Sequence, residues 1–269
     1  MPGVVTQILE IVADPDYSMD RLVRVVSLDP GLTANVLRMA NSSFFGLRYK
    51  ASSVEQALTY LGSNHLVEIV MSSGVSDYFK GSHEGYGLGR GELWRHSMAT
   101  ALIAARLAGM LGQGDQATVY TAGLLHDMGK LVLSSFMHEV YDKIEVLIEE
   151  EGWLAEDAER KILGIDHAML GGYVAKKWRL GDEIQKAVQF HHNPEKSLPP
   201  RQVTNLVAVA NYLANLCGAP GGLGYRHQTP PPVATYELDI YPDQLQDMED
   251  AMRGFLEKAE PLLTLAEAT

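Results

Sequence analysis

Apolar residues along this 269-residue chain recur at i, i+3, i+4 and i+7 rather than at alternate positions, the spacing of one face of a helix. Val4, Val5, Ile8, Leu9 and Val12 make one such stripe, and Leu32, Val36, Leu37 and Ala40 continue another behind the cap-and-proline pair Asp29-Pro30. Ser53-Val54-Glu55-Gln56 has capping-box spacing, and Gly62 stops the short helix that it opens. Roughly six short helices therefore fill the first 80 residues. The stretch from Lys80 to Gly89 carries four glycines and few core residues, so it marks a lobe boundary. Helical periodicity then resumes over about 91–111, 115–126, 138–151 and 155–163, followed by helices opening near Asp166, near Gly181-Asp182 and near Arg201. Runs such as Leu131-Val132-Leu133 are too short to build a sheet. From Pro220 to Pro232 the proline and glycine content forbids both a helix and a central strand, which predicts a long loop before an acidic terminal helix. The prediction is an all-α, two-lobed protein: a helical lobe over 1–85, a helical bundle over 86–217, and a loop with a C-terminal helix over 218–269.

Composition narrows the classes. With 46% hydrophobic residues the chain is rich enough for a real core. A single cysteine, Cys217, excludes an intrachain disulfide and suits a reducing, cytoplasmic setting. No apolar run approaches the roughly 18 residues needed to cross a bilayer, so no membrane association is expected. The net charge of -12 argues against nucleic acid as a partner, since phosphate binding needs clustered Lys and Arg. Half of that charge lies in residues 215–269, which hold three basic and nine acidic side chains. The tail helix reads as a solvated acidic face, with Leu245, Met248, Met252, Phe255 and Leu256 covering part of the second lobe. In the first lobe, Phe44 and Phe45 beside Gly46 read as anchors packed inward.

The nine histidines carry the chemistry. His126 and Asp127 end an apolar helix as an adjacent pair, and imidazole nitrogen and carboxylate oxygen are both ordinary ligands of first-row divalent metals. Alone, the pair is as readily a helix-terminal histidine beside a solvated aspartate. Glu92 and His96 share a helix face at i, i+4; His167 follows Asp166; His191 and His192 end another helix before Pro194. Helices presenting Glu92, His96, His126, Asp127, His167, His191 and His192 inward would supply the ligands of a two-metal centre. His65, His83, His138 and His227 lie in loop or helix-end contexts and read as incidental.

The order His96, His126-Asp127-Met128-Gly129-Lys130, His167, His191-His192 resembles the HD superfamily of metal-dependent phosphohydrolases. Asp29-Pro30-Gly31-Leu32, the run Leu37 to Gly46, and Val54-Glu55-Gln56-Ala57-Leu58 resemble, more closely, its HDOD branch of bacterial signalling modules, over roughly residues 1–217. The positions also match the HD-GYP cyclic-dinucleotide phosphodiesterases, with Lys130 as the phosphate-neighbouring lysine. Two departures stand out: the GYP segment is absent after His192, and the last metal-binding Asp is Asn211, which brings no charge. The resemblance implies one or two divalent transition-metal ions (iron, manganese, nickel or zinc) held by the seven residues above with Asn211, and other signalling proteins as partners. A non-catalytic signalling module is the favoured reading. The alternatives are a phosphohydrolase acting on a nucleotide, a cyclic dinucleotide or another small phosphorylated ligand, with Asp127 and Lys130 catalytic, and a metal-free adaptor.

Overall fold

The computed structural model describes residues 3–12, 14 and 16–265. Among these there is no strand beyond one antiparallel bridge, His83 with Leu88, and no helix is long and apolar enough to cross a membrane. The first lobe comprises α1 (Gly3–Val12), α2 (Met19–Ser27), α3 (Pro30–Ala40) and α4 (Val54–Phe79). Its caps are those the sequence announces. The Asp29 carboxylate accepts the Leu32 N–H at 2.9 Å with Pro30 in the first turn, and Ser53 Oγ accepts the Gln56 N–H at 3.2 Å. Gly62, at φ 80° and ψ 176°, breaks α4 into two pieces, a conformation only glycine adopts cheaply. The Asn41 side chain donates to Ala51 O and accepts from Ala51 N, both at 2.8 Å, and closes the loop that carries Phe44 and Phe45. Both rings are half-buried against the core.

The second lobe runs α5 (Glu92–Leu111), α6 (Gln116–Leu125), α7 (Met128–Met137), α8 (Tyr141–Glu149), α9 (Ala155–Leu163), α10 (His167–Lys177), α11 (Asp182–Phe190) and α12 (Gln202–Leu216). Fourteen of the 20 residues of α5 are buried, so it is the central helix, wrapped on all sides. It meets α6 closely because of Gly123, where a Cβ would lie 2.9 Å from the Ala101 Cα. Helix α7 was not expected. Its Leu-Val-Leu run reads as a strand fragment, but the helix forms because one face packs on α10 while Val132 and Phe136 stay exposed.

The last segment holds α13 (Pro232–Glu237) and α14 (Pro242–Leu263). As expected, α14 covers the second lobe, with Met252 and Leu256 buried. Trp94 Nε1 donates to Leu262 O at 3.0 Å, and Arg95 grips Glu260 with two bonds of 2.6 and 2.9 Å. It also reaches the first lobe, where the Phe255 ring sits edge-on to Phe44 at 5.9 Å between centroids.

Candidate metal centre

The five histidines of the candidate centre lie at or near helix ends. His126 is the last residue of the α6 turn and Asp127 opens α7, so the junction of two apolar helices turns both side chains inward. His96 sits in the second turn of α5. His167 is the first residue of α10, behind Asp166, whose carboxylate caps the Met169 N–H. His191 caps the C-terminus of α11, and His192 follows it. Helix α7 approaches α10 closely enough that a Cβ on Gly129 would lie 1.9 Å from His167 O. That contact brings Asp127 and His167 together.

Asp127 is the hub. On the side of its Oδ2 lie His96 Nε2 at 3.3 Å and His126 Nε2 at 3.4 Å; on the side of its Oδ1 lie His167 Nε2 at 3.4 Å and His191 Nε2 at 3.7 Å. His96 and His126 face each other through their Nε2 atoms at 3.2 Å, as do His167 and His192 at 2.9 Å. Two groups of ligand atoms result, His96–His126–Asp127 and Asp127–His167–His191–His192, sharing the aspartate.

The imidazoles are held in one tautomer. His96 Nδ1 faces Ala219 O at 2.8 Å, His126 Nδ1 faces Gly123 O at 2.7 Å, and His191 Nδ1 faces Val188 O at 2.9 Å. A carbonyl only accepts, so each Nδ1 carries the proton and each Nε2 presents a lone pair to the centre. His167 Nδ1 donates to the Glu159 carboxylate at 2.8–2.9 Å, and the same carboxylate accepts the His167 N–H at 2.7 Å.

Electrostatics agree. Burial and the neighbouring imidazoles push His191 and His192 well below the ordinary histidine range, which keeps them neutral. Burial works to lower His167 as well, but Glu159 outweighs it and leaves the group raised. Burial would raise Asp127, yet Lys130, His126 and His96 hold it well below the carboxylate range, so it stays ionised. The Nε2 lone pairs of His96 and His126, which face each other at 3.2 Å, repel without a cation between them. With metal–nitrogen bonds of about 2.1 Å, two ligands at a right angle on one ion would stand about 3.0 Å apart. Asp127 Oδ1 and His191 Nε2 are buried with no hydrogen-bond partner, as expected of atoms reserved for a metal. The residues fit a divalent ion in either group or one in both.

Two sequence candidates stand apart from these groups. Glu92 is exposed, and its Oε2 accepts the Gly89 N–H at 2.6 Å. It shares a face with His96, but as the first residue of α5 it is taken by the turn ahead of the helix and lies outside the cluster. Asn211 is buried in the wall of the cavity beside His192, and its Oδ1 accepts from Asn215 at 3.3 Å. Lys130 reaches the cluster, and its Nζ donates to Asp127 Oδ2 at 2.7 Å and to Gly221 O at 2.8 Å.

That second bond belongs to a lid. Ala219 O accepts from His96, the Gly221 N–H donates to Asn215 Oδ1 at 2.8 Å, and the Leu223 N–H donates to Tyr86 O at 3.1 Å. A Cβ on Gly221 would lie 2.8 Å from His96 Nε2, so glycine alone lets the backbone cross here. The lid buries Tyr86, whose ring lies 5.5 Å from Lys130 Nζ. Sequence reading missed Glu159 and the lid. Neither is announced by local spacing, since Glu159 lies one helix before its histidine and the lid lies 123 residues from His96. Of the histidines read as incidental, His65 pairs with Glu68 at 2.9 Å and His83 is buried away from the centre.

Comparison with known proteins supplies the family. An uncharacterized protein of Treponema pallidum is 26% identical over 218 residues, 78% of this chain and 41% of that protein, so the chain spans less than half of its relative. The crystal structure of an HDOD domain protein of unknown function from Geobacter sulfurreducens superposes with a TM-score of 0.69 at 26% identity, covering 95% of this chain and 92% of the other. A Shewanella amazonensis SB2B structure named "Putative phosphohydrolase" shares the fold at a TM-score of 0.76 and 21% identity, covering 98% of this chain and 93% of that one. The HDOD domain model matches residues 1–194, more than half of the sequence, and the chain belongs to the HDOD domain family.

Proposed function

We propose that this protein is a bacterial signal-transduction module whose second lobe holds one or two divalent transition-metal ions in a closed, non-catalytic centre, and whose surface is read by a partner signalling protein. The use made of Lys130 carries the non-catalytic part. In a phosphohydrolase this lysine would face the phosphate. Here its ammonium is turned inward and engaged by Asp127 and by the lid carbonyl of Gly221. The cavity beside His191 and His192 is lined by Glu156 and Glu195 and, among the described residues, by no Lys or Arg. A phosphorylated substrate entering there would pass two carboxylates and find no Lys or Arg in the lining, leaving its charge to a bound ion alone. A bound ion supplies Lewis-acid charge; the residues of this chain orient its ligands, exclude water with the lid and keep Asp127 ionised.

The test combines elemental analysis with assays on phosphomonoesters, nucleotides and cyclic dinucleotides. Wild-type protein is expected to retain metal, His126→Ala to lose most of it, and neither to turn over substrate. Turnover that disappears in Asp127→Ala would overturn the non-catalytic reading in favour of a phosphohydrolase, the alternative that the shared Asp127 and the full histidine set favour. Activity appearing in Asn211→Asp alone would mark the centre as a degenerate enzyme.

Glu159 offers a separate check. Glu159→Gln keeps the side-chain shape but weakens the acceptor that orients His167. Metal affinity, measured by competition with a chelator, is expected to fall about 10–100-fold.

A further inference from the structure

The histidine cluster is sealed on the His96 side. His96, His126 and Asp127 are at most 1% exposed, and the 219–223 lid crosses directly over His96. Its other side is different. His192 is only half-buried, and it opens with His191 and Asn211 onto a cavity of about 330 Å³. The far wall of that cavity carries Glu156, Glu195 and Gln228. Glu156 is the unusual member: it is 6% exposed and raised above the usual carboxylate range by burial, and among the described residues it accepts its own backbone N–H at the start of α9 but meets no cation. Neighbouring carboxylates are neutralised, Asp157 and Asp166 both by Arg160. A carboxylate buried without a cation is costly to ionise, and a visiting cation relieves that cost.

We infer that this cavity is the loading port of the metal centre, in which Glu156 and Glu195 draw a divalent cation from solvent and pass it to His192. The inference rests on the metal-holding reading above and adds the path. Lined by carboxylates and low-dielectric walls, the port concentrates cations in front of the one ligand that solvent reaches. It repels phosphates for the same reason, which ties the port to the non-catalytic reading.

The experiment follows Co²⁺ uptake by metal-free protein through the visible absorption of the bound ion, with final content from elemental analysis. Glu156→Gln and Glu195→Gln are expected to slow uptake about threefold or more each, with a weaker dependence on salt and an unchanged final content. Glu195 lies on the exposed rim, so its variant reports on the port even where the buried Glu156→Gln is destabilised. Wild-type uptake rates in both variants would overturn the port and leave the metal centre standing. A fall in final content, with initial rates unchanged, would make the glutamates ligands and overturn the port as a path. Failure of the wild type to take up Co²⁺ would overturn the metal-holding reading, and the port with it.

Discussion

Asp127→Ala protein is expected to retain no metal and, compared with the wild type in metal-free buffer, to lose about 3–5 kcal/mol of stability to denaturant. The reason is the position of Lys130. Its ammonium is buried with Asp127 Oδ2 at 2.7 Å, and once the carboxylate is gone only the Gly221 carbonyl remains to it. Four imidazoles simultaneously lose the anion they surround. The double variant Asp127→Ala/Lys130→Met separates the two contributions. It removes the stranded charge, so it should recover part of the lost stability and none of the metal. A double variant as unstable as the single one would show that Lys130 is not the source of the loss.

Gly129→Ala is expected to be nearly as damaging although it adds one methyl group. The new Cβ would stand 1.9 Å from His167 O, 2.8 Å from His167 C and 2.9 Å from Gly171 N. All three are backbone atoms, so no side chain can swing aside, and α7 must part from α10. The cost should exceed the usual overpacking range, at more than about 3 kcal/mol, and His167 should leave the cluster, lowering metal content as well. Gly254→Ala is the control. Gly254 lies inside α14 with open space where its Cβ would be, and there alanine should stabilise by up to about 1 kcal/mol. Thermal melts of the two variants should move in opposite directions.

These contrasts show what a sequence displays and what it does not. Caps and breaks at Asp29, Ser53 and Gly62 are local, set by a few consecutive residues, and they stand where the sequence places them. The five histidines and Asp127 were legible because each sits at or near a helix boundary, within a turn or so of its own local signal. Glu92 misled because helical spacing fixes a face but not a depth: four residues before His96 it lies at the end of the helix, where the preceding turn takes it. Helix α7 was hidden because an apolar run has no periodicity to read, and only packing on α10 decides its form. Glu159 and the lid were invisible for a third reason. Their roles exist only after the chain has folded back on itself, and no spacing along the sequence encodes a contact between residue 96 and residue 219.

The lid also bears on where this domain ends. The family match stops at residue 194, yet Ala219 orients His96, Gly221 accepts from Lys130, and Asn215 fastens the crossing between them. A boundary drawn where similarity fades would cut through the centre, leaving one histidine free to flip its ring and one buried ammonium half-solvated.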